Sequence, residues 1–568
     1  MRVLRLLCSL ASLTSSIRGF AAVAAAILGV RGVSAQTSTQ QLASTGVHET
    51  AEVHVMNLDV VVTDSAGNSL TDLTKQDFSL KLGGRPVAID YFTRVERTAP
   101  HAPDLGIEPP AGILVENRKV PDVNVPGYFL VYVDTGHLTQ MERARALKAL
   151  RSFVSQLGTS DSARLVLFDQ RSHELTAWTR SKEHLLSALR QMEASSGGSR
   201  LQTEIQALQR IDDSKRSEGD PWTRQSLARA YGEQERGQVL TMLHDLDAQI
   251  STLAVTGGKR VLLFISGGFG MQPGLAMMQY ADPQAMLTAQ EGQSMATRVE
   301  AMVRRANASD ITCFTLDARG LMAGVSERSG DRPGHDPLVL SDAPLTSRAV
   351  SFQARQNSQR GMNLLANDTG GFALANTNDF ATGLSRVYRD SSYYYTIGVD
   401  VSALPSGNYS EVVVYTRRPG VTVRSRRGFA ARSVSDQGHD IAQAALMTNV
   451  EIRSIPVTLR VGAIVKQETL YDVPIAVTVP VSALTLLPEG AAAKAEAEIY
   501  IGAIDDNGLM SDIARREVSF AQARDCADGN CPFRVRLQAR KGNLRVVVNV
   551  RDRATGRMGT AKTDVHVE

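Results

Sequence analysis

Four short apolar runs, Tyr128–Val133, Ala163–Asp169, Arg260–Ile265 and Thr312–Leu316, alternate with segments whose apolar residues recur at helical spacing. In the first such segment Ala146, Leu147, Leu150, Phe153, Val154 and Leu157 fall on one helix face. Ser181 stands where it would cap a helix over Lys182–Met192. A long polar helical region spans Gln202–Leu253, and further helices are predicted over Ala296–Ala308, Phe352–Ala366 and Phe380–Asp390. Strands that alternate with helices are joined by crossovers, which makes the strands parallel and covers both sheet faces with helix. The expected fold of residues 126–392 is therefore a doubly wound, Rossmann-like α/β domain.

The flanks read differently. Residues 53–63 are β-branched and alternating, Asp64-Ser-Ala-Gly67-Asn68 supplies turn chemistry, and two more short strands surround Gly83-Gly84. About fifty residues of strand cannot bury a core alone. Strands over Tyr393–Val401, Glu411–Thr416 and Val421–Ser425 offer the missing half. The expectation is an N-terminal Ig-like β region, residues 50–98, completed by residues 393–430 of a strand segment ending at 432, with the α/β domain inserted. A proline-rich linker covers Pro100–Pro126, and a second linker is placed around Ser433–Asp440. Residues 450–568 are nearly all strand with turns at Asp505–Gly508, Gly542-Asn543 and Asp552–Gly556, which predicts a C-terminal β-sandwich. The fold class is thus multidomain, α/β plus all-β.

Residues 1–35 read as an export signal: Arg2, Arg5 and Arg18 precede or flank the apolar run Phe20–Val30, and Val33-Ser34-Ala35 offers a small-residue cleavage site. That run is too short to span a bilayer. Cleavage would remove four arginines and no acid, taking the formal charge from +3 to −1. Such a balance argues against nucleic acid as a partner. The basic run Arg417, Arg418, Arg424, Arg426, Arg427 alternates along a strand and reads as a solvated sheet face. No integral membrane segment is expected after signal removal, and the protein is expected in the periplasm or outside the cell. There, Cys526 and Cys531, which flank Ala-Asp-Gly-Asn, are candidates for a loop-closing disulfide.

Catalytic signatures are missing. Ser266 in Phe-Ile-Ser-Gly-Gly lacks the first glycine of a nucleophile elbow. His173-Glu174 is not followed by a second histidine at metalloprotease spacing, and Gly257-Gly-Lys259 lacks the rest of a phosphate loop. Asp505-Asp-Asn-Gly508 has no acid at the twelfth position of a calcium loop and reads as a hairpin turn.

Three stretches occur in a telling order. Val60-Val-Val-Thr-Asp64-Ser-Ala-Gly67 with Leu73-Thr-Lys-Gln-Asp77-Phe78 comes first, then Gly257–Phe269, then Thr369-Gly370-Gly371 through Tyr393–Gly398 to Arg427-Gly428-Phe429. In these, residues 50–432 resemble the acidobacterial VWFA-related domain family, secreted proteins built around a von Willebrand factor type A domain. The resemblance implies a ligand site at the carboxyl ends of the parallel strands, where such sheets bind ligands. In the metal-loading pattern of type A domains, Asp-x-Ser-x-Ser, Asp134 matches the leading aspartate while Gly136 and Leu138 replace the serines. Ser199 matches the second-loop threonine, and Gly267 falls where an aspartate often stands.

Asp134 and Ser199 are then the only candidate ligands for magnesium or manganese, too few for a cation that takes six oxygens. Asp134 is expected instead to cap the next helix or pack a loop, and His137 to be a loop side chain. The implied function is an exported, non-enzymatic protein–protein interaction or adhesion scaffold with a degenerate metal site and no cofactor. Metal-dependent adhesion is the alternative, and a secreted hydrolase the third reading.

Overall fold

The computed structural model describes residues 55–97, 125–194, 199–217, 219–282, 284–285, 289–321, 345–401, 409–430, 434–448, 451–489, 492–506, 508–521, 525–526 and 528–568. The expected export signal, most of the proline-rich linker, residues 195–198 and residues 322–344 lie outside the described residues.

Four strands come first: β1 (Val55–Thr63), β2 (Phe78–Leu82), β3 (Arg85–Val87) and β4 (Tyr91–Glu96). An α/β unit follows, made of β5 (Gly127–Asp134), α1 (Gln140–Gln156), β6 (Ser162–Phe168), β7 (Ser172–Glu174), α2 (Lys182–Ala194), α3 (Ser199–Arg216) and α4 (Pro221–Ala254). It continues with β8 (Lys259–Ser266), α5 (Leu275–Ala281), α6 (Ala289–Ala308), β9 (Ile311–Asp317), α7 (Leu345–Asp368), β10 (Ala373–Leu374) and α8 (Phe380–Ser392). Its sheet runs β10-β9-β8-β5-β6-β7, parallel except for β7. β5 is apolar at successive positions because both faces are covered. Phe129, Val131 and Val133 pack among α1, α2 and α8 residues, while Leu130 and Tyr132 pack among those of α4, α6 and α7.

The predicted Gln202–Leu253 helical region is two helices. Asp220 caps α4 through the Trp222 amide at 3.2 Å, with Pro221 in the first turn, so the chain restarts there. At 34 residues α4 is about 51 Å long, against about 26 Å for the eight-residue β8. Because α4 runs down into the amino end of β8, its excess length projects beyond the carboxyl ends of the strands. There α3, α4 and α5 share a small core of Ile211, Ala228, Tyr231, Met277, Met278 and Ala281. α5 crosses α4 at Gly232 and Gly274; a Cβ on Gly274 would meet the Gly232 Cα at 2.3 Å, so only glycine permits this approach.

Strands β11 (Tyr393–Asp400), β12 (Tyr409–Thr416), β13 (Thr422–Ser425) and β14 (Gly428–Ala430) then return to β1–β4. One sheet is ordered β13-β1-β11-β4 and the other β14-β12-β2-β3. They enclose Met56, Leu58, Val60, Phe78, Leu80, Tyr395 and Ile397. The register pairs Glu96 with Tyr393, so the chain leaves and rejoins this sandwich at adjacent positions.

Buried charges join the sandwich to the amino end of the α/β sheet. Arg97 meets Asp161, Lys259 Nζ lies 2.7 Å from Asp59, and Arg426 meets Asp310. The basic run is a solvated face at Arg417, Arg418 and Arg427, and the structure corrects that reading at Arg424 and Arg426. Arg424 bonds Asp390, and Arg426 is buried against the Asn57 and Asn307 carbonyls, partners far away in sequence.

The predicted linker at Ser433–Asp440 is largely helix α9 (Val434–Met447). It packs on α4 and on the last domain. Its Asp440 lies 3.0 Å from Ser251 Oγ and 3.1 Å from Arg305, burying polar residues that read as linker. The last domain contains β15 (Thr458–Val461), β16 (Val465–Gln467), β17 (Leu470–Pro480), β18 (Leu487–Glu489), β19 (Ala492–Asp505), β20 (Ala514–Ala521), β21 (Asn530–Ala539), β22 (Gly542–Asp552) and β23 (Met558–Val567). Two antiparallel sheets enclose its core. A Cys526–Cys531 disulfide closes the turn before β21.

Candidate functional site

The central strands β5, β8 and β9 end side by side on Asp134, Ser266 and Asp317, all buried. Ser266 Oγ donates to Asp134 Oδ2 at 2.8 Å and accepts from the Gly268 amide at 3.0 Å. His137, in the 3-10 turn Thr135–His137, places Nδ1 2.6 Å from the same Asp134 oxygen. Thr135 Oγ1 donates to the Phe168 carbonyl at 3.0 Å, tying this turn to β6. Asp134 does not cap α1: Thr139 does, in a capping box with Glu142. The carboxylate instead holds the β5 turn to the β8 loop.

The other expected positions surround it. Gly136 offers no donor, and a Cβ there would face Asp134 Oδ1 at 3.5 Å. Leu138 is 2% exposed and belongs to the core beneath α1. Gly267 is pressed so close to the first loop that a Cβ would lie 2.1 Å from the His137 carbonyl oxygen. Ser199 opens α3, which packs against the Thr135–His137 turn. The structure thus gathers the Asp134, Gly136, Leu138 and Gly267 positions at one end of the sheet and brings α3 alongside.

A hard divalent cation takes about six oxygens. Here Asp134 Oδ2 is engaged, and Asp134 Oδ1 is a buried carboxylate oxygen without a hydrogen-bond partner. Leu138 and Gly267 contribute no side-chain oxygen. The donors therefore do not fit such an ion. Among the described residues no group of three His, Cys, Asp or Glu side chains is arranged to hold a metal.

Sequence reasoning missed the second half of the site. Asp317 receives Arg319 Nε at 2.8 Å, Arg319 Nη2 at 2.9 Å and Gln359 Nε2 at 2.7 Å, with Arg355 at 3.9 Å. Burial works against ionisation of Asp317, yet the Arg319 hydrogen bond and charge, then Gln359 and Arg355, hold its pKa below the ordinary 3.8. The strand-end aspartate was visible in the sequence; partners on α7 were not. Exposed apolar side chains stand on the adjoining turns, Met141 at 63% and Leu321 at 56%, and Arg145 bonds the Arg319 carbonyl at 3.3 Å. On the projecting helices Trp222 is 71% exposed.

Residues 132–230 match the family model of the von Willebrand factor type A domain. No curated protein matches the chain. Among solved structures it is similar to an aerotolerance-related membrane protein from Bacteroides fragilis at 10% identity and TM-score 0.24, over 47% of this chain and 98% of that one. It is similar to the pilus adhesin SpaC from Lactobacillus rhamnosus GG at 7% identity and TM-score 0.25, over 78% and 53%. A von Willebrand factor type A protein from Catenulispora acidiphila gives 8% identity and TM-score 0.21, over 78% and 66%. Scores of that size leave the type A assignment resting on the family match and on the parallel sheet itself.

Proposed function

We propose that this chain is an exported, non-enzymatic interaction or adhesion scaffold of the acidobacterial VWFA-related kind, which contacts a protein partner through the carboxyl-end face of its type A domain without a bridging metal. The observation that carries this reading is the state of Asp134. Its Oδ2 is held by Ser266 and faces His137, and Gly267 leaves no room for a further ligand side chain. The exposed Met141 and Leu321 support it, since apolar side chains around a polar centre suit protein contact. Residues 1–35 support export, and among the described residues no helix is long and apolar enough to cross a membrane.

The test is thermal unfolding after chelation, followed by magnesium, manganese or calcium at about 10 mM. A site with Kd near 1 mM would add about 1.4 kcal/mol by mass action, roughly 3–5 °C in Tm. No shift is expected. A saturable rise lost in Asp134→Ala would overturn the reading in favour of metal-dependent adhesion, the alternative that the unpartnered Asp134 Oδ1 favours.

A further inference from the structure

The C-terminal sandwich is lopsided. One sheet is four strands across, β23-β22-β19-β20, with the short β18 pairing β19 on the β22 side, while the other is three across, β15 with β16, then β17, then β21. The β23 side is closed. Residues 452–455 bond to β23 through Ile455 N to Met558 O and Thr560 N to Ile452 O, and β15 then continues beside it. With that side aligned, no described strand faces β20, and β21 is an edge among the described residues.

Side-chain exposure records the gap. Along β20, Phe520, Val518, Arg516 and Ala514 pair with Ala495, Ala497, Ile499 and Ile501, all buried in the core, so these four face inward as well. Phe520 is buried and Val518 half-buried, yet Arg516 is exposed. A core-facing position that sees solvent marks a missing strand. Across the gap, β21 pairs with β17 along its full length, and no described residue pairs with its other side. Pro532 cannot donate, so the available ladder runs from Phe533 to Ala539, about 23 Å.

Basic side chains predominate along this edge. Arg534 and Arg536 stand opposite Ala476 and Pro474, Arg540 and Lys541 follow at the strand end, and Arg516 lies on the floor. No ion pair engages Arg516, Arg534 or Arg536 among the described residues. Two acids on the neighbouring strands are occupied: Glu517 by Arg515 and Arg553, Asp472 by Gln467. Two copies joined edge to edge through β21 would set arginines against arginines, which disfavours a second copy as occupant.

We propose that β21 is a strand-addition site for an extended acidic segment of a partner protein. Main-chain bonds to β21 would supply the pairing, with apolar residues facing inward over Val518 and acidic ones on the outer face beside Arg534 and Arg536, which alternate with the core residues Val535 and Leu537. This surface is separate from the type A face and does not depend on the reading given to it.

The test uses a fluorescein-labelled peptide of about seven residues alternating glutamate and valine, and its lysine–valine counterpart, with the full chain lacking residues 1–35. Fluorescence anisotropy is expected to show saturable binding of the acidic peptide only, weakened by salt, with hydrogen-exchange protection confined to β21. Arg534→Glu with Arg536→Glu, both exposed, is expected to weaken the acidic peptide by about tenfold or more and admit the lysine peptide. Equal binding of both peptides, no binding, protection elsewhere or self-association through β21 would each overturn the proposal.

Discussion

Gly267→Ala probes how tightly the candidate site is closed. The new Cβ would stand 2.1 Å from the His137 carbonyl oxygen, a backbone atom that cannot swing aside. Relief requires the two loops to part by about 1 Å, in a region packed at interior density. Both loops are pinned: Thr135 Oγ1 on the Phe168 carbonyl, Gly268 N on Ser266 Oγ, and Phe269 N on the Ser358 carbonyl at 3.2 Å.

Overpacking costs about 1–3 kcal/mol, and losing the Ser266–Asp134 bond leaves a buried oxygen at a further cost of about 1–3 kcal/mol. The stiffer unfolded chain offsets about 0.4–1 kcal/mol. The expected net loss is about 2–4 kcal/mol. Both tryptophans of the chain, Trp178 and Trp222, lie in the type A domain, so urea titration followed by fluorescence in a Trp222→Phe background reports on this domain through Trp178. A midpoint shift worth less than about 0.5 kcal/mol at unchanged slope would refute the close-packed site.

Asp161→Ala is expected to cost about 3–5 kcal/mol by stranding buried Arg97, and the same titration checks it. The folded pKa of Asp317 lies below 3.8, so its contribution is fully present above that value and is lost as pH falls through the lower folded value. The stability difference between wild type and Asp317→Asn should therefore shrink only below about pH 4, and a difference that does not depend on pH there would count against the Arg319 pairing. Burial pushes the Cys313 thiol up to about 12, so it should resist a thiol reagent at mildly alkaline pH until the protein is unfolded. Arg305→Ala should loosen α9 and raise proteolytic cleavage around residues 431–450, read by limited digestion.

The parts legible in the sequence are those governed by local pattern. β5, β6, β8 and β9 are continuous apolar runs because they are covered on both faces, and α1 keeps its period because only one face is buried. α4 blurs that signal: residues 248–254 are buried all round while its first turns are exposed. α9 was hidden for a different reason. Its Asp440 is polar in sequence yet buried, and only Ser251 and Arg305, more than a hundred residues away, make that tolerable. The same distance hid the role of Arg426, whose partners Asn57, Asn307 and Asp310 are also more than a hundred residues away. At the site, the strand-end position of Asp134 and the missing serines could be read directly. The closeness of Gly267 to His137 could not, since it depends on how two loops meet.

The adjacency of Glu96 and Tyr393 has a mechanical meaning. A pull that enters the sandwich at β1 and leaves through β14 loads the ladders of that sandwich, and once α9 has been peeled from α4 the inserted domain hangs from two clamped neighbouring points and bears little tension. The β4–β11 ladder must shear before the insert can be drawn out. In a single-molecule stretching experiment the type A domain should keep its shape until the sandwich yields, so its contact face would stay intact on a tether under load.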